Sequence, residues 1–263
     1  MMAELNPQSP VIELEDAVIA NERRPEVAAL EMPEWRVAAG DFWVIGAPPG
    51  SGKTGLLATA SGLLQPLRGK LRLFGEEIGP RDGTGQWEVR RRVGLVFEDG
   101  ARLLSRLTIA ENIGLPLLYH GEDDKDLLAR IEDILRRTDL ESVAREFPRE
   151  VLRSSRQRAG LARAIALQPE VLLLDNPLAG LDPRQTRWWI DFLAEWRAKT
   201  APSEGHAGTL VVTCEDMRPW LDQGTHFALL QNGRWRSLGN RDEVRASREE
   251  ALADVMSGEF RPN

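Results

Sequence analysis

The sequence predicts an α/β protein with a mostly parallel sheet and an inserted helical lobe. Short apolar runs at 41–47, 91–99, 171–175 and 209–213 have the length and residue types of buried strands. Segments with apolar residues at helical spacing separate these runs. Strands that alternate with helices usually form a parallel sheet covered on both faces. Residues 100–165 contain mainly helical patterns, which predicts that they form the inserted lobe.

The other elements follow from the same patterns in chain order. Further strands are predicted at 11–20, 69–78 and 225–233, and further helices at 52–64, 122–140, 154–167, after Pro183 and at 242–256. In the helix predicted over 122–140, one apolar face carries Leu127, Leu128, Ile131, Ile134 and Leu135. Nothing in the spacing of Trp188, Trp189 and Trp196 indicates a ligand platform, so we interpret them as packing residues.

Composition and charge limit the classes of function. The chain has 263 residues, enough for one large domain or a core with a subsidiary lobe, and its formal net charge is −7. An acidic surface argues against nucleic acid as a partner, because phosphate binding requires a basic face. The N-terminus lacks the features of a signal peptide, and no apolar run approaches the ~18 residues of a membrane span. We therefore expect the chain to meet a membrane only through a partner.

The stretch APPGSGKT at 47–54 lies between a predicted apolar strand and a predicted helix, the context that a phosphate-binding P-loop requires. Backbone N–H groups of such a loop surround the phosphates, Lys53 reaches the outer phosphates and the Thr54 hydroxyl holds Mg²⁺. Two positions depart from the pattern, because Ala47 replaces the first glycine and Pro49 has no N–H to donate.

The run VLLLD at 171–175 supports the same interpretation, because a carboxylate at a strand end beside a P-loop belongs to the Mg²⁺ site. ATP and Mg²⁺ are therefore the predicted ligands. The predicted nucleotide-binding residues are Ala47, Pro48, Pro49, Gly50, Ser51, Gly52, Lys53, Thr54 and Asp175.

With these two motifs placed, nearly the whole chain resembles the nucleotide-binding subunits of ATP-binding cassette (ABC) transporters. Residues 93–117 resemble the family's Q-loop segment, 147–170 its signature segment, 178–182 its D-loop and 233–244 the segment that closes the core. The resemblance implies a P-loop NTPase (RecA-like) core over 1–99 and 166–246, a helical signature lobe over 100–165, and a C-terminal helix and tail over 247–263.

The same resemblance implies a mode of action. Two cassettes, in a homodimer or a heterodimer, stack head to tail so that each ATP lies between one P-loop and the opposite signature segment. An integral-membrane permease subunit docks on the helical lobe, which makes the chain cytoplasmic and peripheral on the inner face of the membrane. The segments 99–117 and 243–260 also look like those of the ATPases of MCE-type lipid transporters.

The departures from the family pattern fall on catalytic positions. Asn176 stands where the family has a glutamate, and an amide cannot accept a proton from water, so the general base is missing. Glu98 replaces the Q-loop glutamine, where a carboxylate can bind Mg²⁺, partly replace the base or repel the γ-phosphate. Cys214, the single cysteine, replaces the H-loop histidine and is a weak hydrogen-bond donor. The predicted metal residues are Thr54, Asp175 and Glu98.

The signature segment also departs from the family pattern, since it reads VLRSS at 151–155. Leu152 replaces a serine, and Arg153 is either a phosphate contact or a solvated arginine. No aromatic residue lies near Asn21 to stack on adenine. These features predict an ATP-binding transporter subunit with impaired hydrolysis, and the alternative is a non-hydrolysing pseudo-ATPase that regulates or supports a membrane complex. ABC proteins of DNA repair or translation are disfavoured, because the chain has one cassette and no basic patch.

Overall fold

The computed structural model describes residues 10–21, 24–79, 86–98, 102–121, 124–200, 207–247, 252, 255 and 256. The first nine residues, residues 99–101 of the predicted Q-loop segment and most of the predicted tail after residue 247 lie outside the described residues.

This part of the chain contains ten strands and seven α-helices. The strands are β1 (Pro10–Asn21), β2 (Arg24–Ala38), β3 (Phe42–Gly46), β4 (Arg68–Leu73), β5 (Glu76–Glu77), β6 (Val93–Val96), β7 (Val171–Asp175), β8 (Thr209–Cys214), β9 (His226–Gln231) and β10 (Arg234–Gly239). The helices are α1 (Lys53–Ala60), α2 (Gln86–Arg90), α3 (Ile109–Tyr119), α4 (Asp124–Arg137), α5 (Arg153–Ile165), α6 (Pro183–Lys199) and α7 (Arg241–Ala246).

All ten described strands belong to one sheet, in the order β5-β4-β1-β2-β10-β9-β3-β8-β7-β6. The half from β9 to β6 is parallel throughout. Strands β3, β7 and β8 are buried at every position, which explains why they read as continuous apolar runs rather than as alternating patterns. The other half is a mainly antiparallel arm, in which β1 pairs with both β2 and β4, and β9 pairs with β10. Strands β10 and β2 meet in parallel, with Arg234 opposite Glu31.

The predicted α/β fold class is confirmed, and the parallel half carries all the strands that precede the predicted site. The antiparallel arm was not foreseen, because β2 has no sequence prediction. In β2, charged residues alternate with apolar ones, and the apolar Met32, Trp35 and Val37 are buried. Two prolines and five glutamates or arginines in the segment obscure that alternation in the sequence.

Helix α1 packs on one face of the sheet, and α6 packs on the other. Trp189 and Trp196 of α6 are buried in the second layer, and Trp188 stacks on Phe192 with ring centroids 5.0 Å apart. The interpretation of these tryptophans as packing residues is therefore confirmed. The same layer contains Leu252 and Val255, so these two residues pack on the core.

The helices α3, α4 and α5 share an apolar cluster of their own, separate from the two layers beside the sheet. Helix α5 belongs to both regions, because Ala159 and Ala162 face this cluster while Leu161 and Ile165 face the sheet. Helices α3, α4 and α5 thus have an apolar core of their own, and α5 joins it to the layer beside the sheet. The lobe bounds of 100–165 remain a prediction.

Three details differ from the sequence predictions. Helix α1 ends at Ala60 rather than at residue 64, since the chain reverses at Gly62, which has a φ of +73°. Leu128 is 69 % exposed, because it lies about 100° around α4 from the buried Leu127. The helix predicted over 242–256 is interrupted, since Ser247 is extended after α7, and Leu252, Val255 and Met256 are helical again.

None of the helices in the described residues is both long and apolar enough to cross a bilayer.

Close packing of α1 against β1 yields a stability prediction. A Cβ at Gly55 would lie 2.6 Å from the backbone oxygen of Ala20, and that oxygen cannot rotate away. A Cβ at Gly114 of α3 would lie at the same distance from Ile131 Cδ1, which is the free end of a side chain. We expect Gly55→Ala to lower the free energy of unfolding by about 1–3 kcal/mol, as overpacking does.

Gly114→Ala is the matched control, and we expect it to change stability by less than about 1 kcal/mol because alanine favours the helix. Urea-induced unfolding followed by circular dichroism measures both variants. Equal losses of stability in the two variants would contradict the proposed contact between α1 and β1.

Candidate nucleotide site

The candidate site lies where the parallel strands end. Gly46 at the end of β3 pairs with Cys214 at the end of β8, and Asp175 at the end of β7 pairs with Thr213. Strand β6 ends beside β7, with Val96 opposite Leu174, so Glu98 follows at the same edge. The carboxyl ends of parallel strands are where such sheets bind ligands.

The loop between β3 and α1 has the backbone of a phosphate-binding turn. Gly50 and Gly52 have φ angles of +76° and +95°, which side chains rarely adopt, and α1 begins directly after Gly52. The N-terminus of α1 therefore opens into the loop and favours an anion. Ser51 Oγ is buried without a hydrogen-bond partner among the described residues, as expected for a group directed at a ligand.

The Lys53 side chain points back under this loop and is 7 % exposed. Its ammonium group donates to the backbone oxygen of Ala47 at 3.2 Å and to Glu215 Oε1 at 2.8 Å. The sequence predicts Lys53 as a phosphate ligand, and the structure places it within the loop. The ion pair with Glu215 was not predicted.

Asp175 is almost fully buried, and each of its oxygens accepts a hydrogen bond from a threonine. Thr54 Oγ1 donates to Oδ2 at 2.5 Å, and Thr213 Oγ1 donates to Oδ1 at 2.9 Å. Thr213 Oγ1 also accepts from the backbone N–H of Asn176 at 3.2 Å. Asp175 is therefore held in one orientation by residues from α1 and β8.

The pair formed by Thr54 and Asp175 fits Mg²⁺. Mg²⁺ prefers oxygen ligands and binds through one or two carboxylates together with substrate phosphates and water. A hydroxyl and a carboxylate already in contact can turn toward one cation beside the loop. Among the described residues, no three His, Cys, Asp or Glu side chains form a cluster that would hold a metal without phosphate.

Glu98 and Asn176 meet at the ends of β6 and β7. Burial raises the pKa of the Glu98 carboxyl, and a hydrogen bond with the Asn176 side chain lowers it in part. The nearby Asp175 raises this pKa further, while Lys53 lowers it. The structure thus brings Glu98 to the predicted metal residues. Asn176 has a φ of +45°, a conformation that asparagine adopts more readily than most residues.

Cys214 lies apart from these groups. Its side chain belongs to the apolar layer with Met217 and Trp220, and only its backbone oxygen touches the loop, accepting from Ala47 N at 2.9 Å. Burial raises the pKa of the Cys214 thiol far above its usual range, so it stays neutral. That this position lacks a strong donor to phosphate remains a prediction.

The signature segment forms the start of α5 in the helical lobe. Leu152 precedes the helix and is 74 % exposed. Arg153 lies beside the D-loop, because a Cβ on Gly180 would be 3.2 Å from Arg153 Nη1. Gln157 Nε2 donates to the backbone oxygen of Ala179 at 3.4 Å and links the same two segments.

The tip of the β1–β2 hairpin lies next to the P-loop, since a Cβ on Gly52 would be 3.4 Å from Ala29 Cβ. The described residues of this tip, Asn21 and 24–30, contain no aromatic side chain. The part of the sequence that offers no aromatic residue to stack on adenine therefore borders the P-loop.

Sequence reasoning missed two residues of the site, Thr213 and the role of Glu215. Both residues lie at or just after the end of β8, where the run TLVVT predicts only a strand. A hydroxyl residue that ends a buried strand next to the aspartate-bearing strand is the signal for Thr213. No local signal indicates the ion pair of Glu215 with Lys53, because 162 residues separate them.

A family profile described as "ABC transporter" matches residues 30–179, which is more than half of the chain. The chain belongs to this family. A dimeric bacterial ABC transporter cassette of known structure covers 86 % of the chain with a TM-score of 0.75 at 25 % identity, and the match spans 98 % of that cassette.

Curated relatives are longer than this chain. The methionine import ATP-binding protein MetN of Cereibacter sphaeroides is 34 % identical over 70 % of this chain and 50 % of its own length. The sulfate/thiosulfate import ATP-binding protein CysA of Caulobacter vibrioides is 31 % identical over 88 % of this chain and 66 % of its own length. The ABC chain described here thus spans about half to two thirds of these relatives.

The two threonines on Asp175 yield a test of the site. Thr213→Val removes a hydroxyl that orients the carboxylate, and we expect Mg²⁺-dependent ATP binding to weaken roughly 10-fold, as for other supporting contacts of metal ligands. Thr213→Ser keeps the hydroxyl and should restore affinity. Thr209→Val, at the opposite end of β8, is the matched control. Isothermal titration measures all three, and equal affinities for Thr213→Val and Thr209→Val would contradict the assignment.

Proposed function

We propose that this chain is the ATP-binding subunit of an ABC transporter, which binds Mg²⁺–ATP and couples it to a membrane permease. The convergence of Lys53, Thr54 and Asp175 around the turn at Gly50 and Gly52 is the observation that carries this proposal. Family membership supports it, as does the unpartnered Ser51 hydroxyl in the loop.

Each residue of the site has a distinct task. The loop and the start of α1 bind the β- and γ-phosphates through backbone N–H groups, and Lys53 neutralises part of their charge. Thr54 and Asp175 would hold Mg²⁺, which would supply positive charge to offset the negative charge that builds up during phosphoryl transfer. Thr213 keeps Asp175 oriented toward the loop.

Hydrolysis by this subunit is proposed to be slow. The residue after Asp175 is Asn176, which is 5 % exposed and hydrogen-bonded to Glu98, and its amide cannot accept a proton from water. Cys214 is turned into the apolar layer and offers no donor to a phosphate. The remaining carboxylate, Glu98, already pairs with the Asn176 amide and lies beside the metal residues, where it suits a metal contact.

A regulatory or structural role as a non-hydrolysing module is the second candidate function. The signature segment favours it, because exposed Leu152 offers no hydroxyl to a nucleotide in a partner cassette, and the side chain of Arg153 prevents the close backbone approach that glycine permits. In a heterodimer with an intact cassette, one composite site would remain active and the other would only bind ATP.

We assign the permease contact to an apolar patch where the helical lobe meets the core. Leu115, Leu118 and Tyr119 lie on one face of α3 and are 37, 54 and 83 % exposed. Trp87 of α2 extends this patch, because its ring stacks on that of His120 with centroids 5.5 Å apart. Contiguous exposed apolar side chains of this kind mark protein contacts, so a cytoplasmic segment of the permease is the proposed occupant.

The transported solute is proposed from the relatives alone. Their names refer to methionine import and to sulfate/thiosulfate import, which favours an importer of a small polar solute. The resemblance to the ATPases of MCE-type lipid transporters receives no support from these relatives.

The proposed function predicts that Lys53→Ala abolishes binding of Mg²⁺–ATP, because the buried ammonium supplies the only side-chain cation within the described P-loop residues. Isothermal titration at millimolar ATP should show heat for the wild-type chain and none for the variant.

Lys70→Ala is the control for loss of a positive charge. Lys70 lies on β4, is 53 % exposed and pairs with Glu77, far along the sheet from the P-loop. Its removal should leave the dissociation constant unchanged. Unaltered affinity in Lys53→Ala, or an equal loss in both variants, would refute nucleotide binding at this loop.

The proposed function also predicts slow phosphate release. Without a base at position 176, turnover should be ~10²–10⁴-fold below that of a cassette with glutamate there. A phosphate-release assay measures this, with Lys53→Ala as the background. Ordinary turnover that is lost in Lys53→Ala would show the proposal wrong, and a further loss in Glu98→Gln would identify Glu98 as the base.

A further inference from the structure

The ammonium of Lys53 makes an ion pair that the proposed function does not use. Glu215 Oε1 lies 2.8 Å from Lys53 Nζ, and the lysine side chain is 7 % exposed while that of Glu215 is 36 % exposed. A hydrogen bond between two charged groups is stronger than a neutral one, and low exposure reduces its screening by solvent. The phosphates of a nucleotide require the same ammonium group.

The position of Glu215 is fixed by the sheet. Strand β8 lies directly beside β3, with Cys214 opposite Gly46, so the residue after β8 emerges at the edge where the P-loop begins. The hydrogen bond from Ala47 N to the Cys214 oxygen holds these two segments together. Because the Cys214 side chain is directed into the apolar layer, the next side chain is free to reach the loop.

Other carboxylates near Lys53 have different partners. Asp175 accepts from Thr54 and Thr213, and Glu98 is hydrogen-bonded to Asn176. Glu215 is the carboxylate that forms the ion pair with Lys53. A phosphate group entering the loop therefore both competes with Glu215 for Lys53 and brings negative charge close to a carboxylate that has lost its partner.

We propose that Glu215 sets the nucleotide affinity of the P-loop by competing with the phosphates for the Lys53 ammonium. This inference rests on the proposed nucleotide binding and adds to it a specificity-determining residue. A ligand binds well only if it displaces Glu215, which favours polyphosphates whose charge is partly neutralised by Mg²⁺. A ligand with a single phosphate carries too little negative charge to displace Glu215 from Lys53.

The test compares Glu215→Gln with Asp216→Asn in the full chain. Both substitutions remove one negative charge, but Asp216 pairs with Arg218 at 2.7 Å rather than with Lys53. We expect Glu215→Gln to lower the dissociation constants of Mg²⁺–ATP and of Mg²⁺–pyrophosphate about 10-fold, in the range measured for single charged partners. Asp216→Asn should change them less than about 3-fold, as expected for an exposed pair. Isothermal titration gives these constants, and urea unfolding checks that both variants fold.

The double variant Lys53→Ala/Glu215→Gln completes the design, since the gain must disappear when the lysine is removed. Equal affinities of the wild-type chain and Glu215→Gln would overturn the inference while leaving the proposed function intact. Equal gains in Glu215→Gln and Asp216→Asn would also overturn it, because they would indicate a general effect of charge. Binding by Glu215→Gln but not by the wild-type chain would support competition in its strongest form. Absence of binding by every variant would refute both the proposed function and this inference.

Discussion

The register of three parallel strands is the constraint on which the candidate site depends. Strand β8 lies between β3 and β7, with Cys214 opposite Gly46 and Thr213 opposite Asp175. This register brings the start of the P-loop, the buried aspartate and the residues after β8 to one edge. A shift of one residue in β8 would move Thr213 to the opposite face of the sheet and remove its hydrogen bond to Asp175. Burial of all three strands on both faces makes such a shift costly.

The site holds three carboxylates near one lysine, and each has its own donor. Asp175 is satisfied by two hydroxyls, Glu98 by an amide, and Glu215 by the Lys53 ammonium. Buried or half-buried charges require such partners, since an unpaired one is costly. The arrangement leaves little free positive charge for phosphates among these residues. On the proposed function, a nucleotide would have to displace Glu215 to reach Lys53, and the backbone N–H groups of the loop and the accompanying metal ion would supply the rest of the attraction.

Helix α5 links the cluster of α3, α4 and α5 to the sheet by specific contacts. Helix α5 contributes to the cores on both sides. Arg158 of α5 also forms an ion pair with Asp139 at 2.7 Å and lies 4.0 Å from the ring centroid of Trp188 on α6. Gln157 of α5 donates to the backbone oxygen of Ala179 and so joins the predicted signature segment to the predicted D-loop before α6. A movement of α5 relative to the core would act on both segments at once.

The sequence by itself determined the parts that depend on neighbouring residues. The glycines at 50 and 52, the lysine after them and the strand and helix on either side predicted the P-loop, because its chemistry lies in eight consecutive positions. The buried parallel strands were also predicted from the sequence, since each is a short apolar run. Asn176 and Glu98 were identified as departures from a family pattern, and the structure brings them together at adjacent strand ends.

Only the tertiary structure decided which distant residues meet. The order of the strands places β8 between β3 and β7, although 162 residues separate Lys53 from Glu215 and 38 separate Asp175 from Thr213. Strand β2 was missed because its charged residues are tolerated on the exposed face of an antiparallel arm, which no local pattern specifies. Cys214 aligned with a catalytic position, but the pleat of β8 directs its thiol into the apolar layer. Local propensity fixes the elements, whereas the packing of the sheet sets their order, register and side-chain directions.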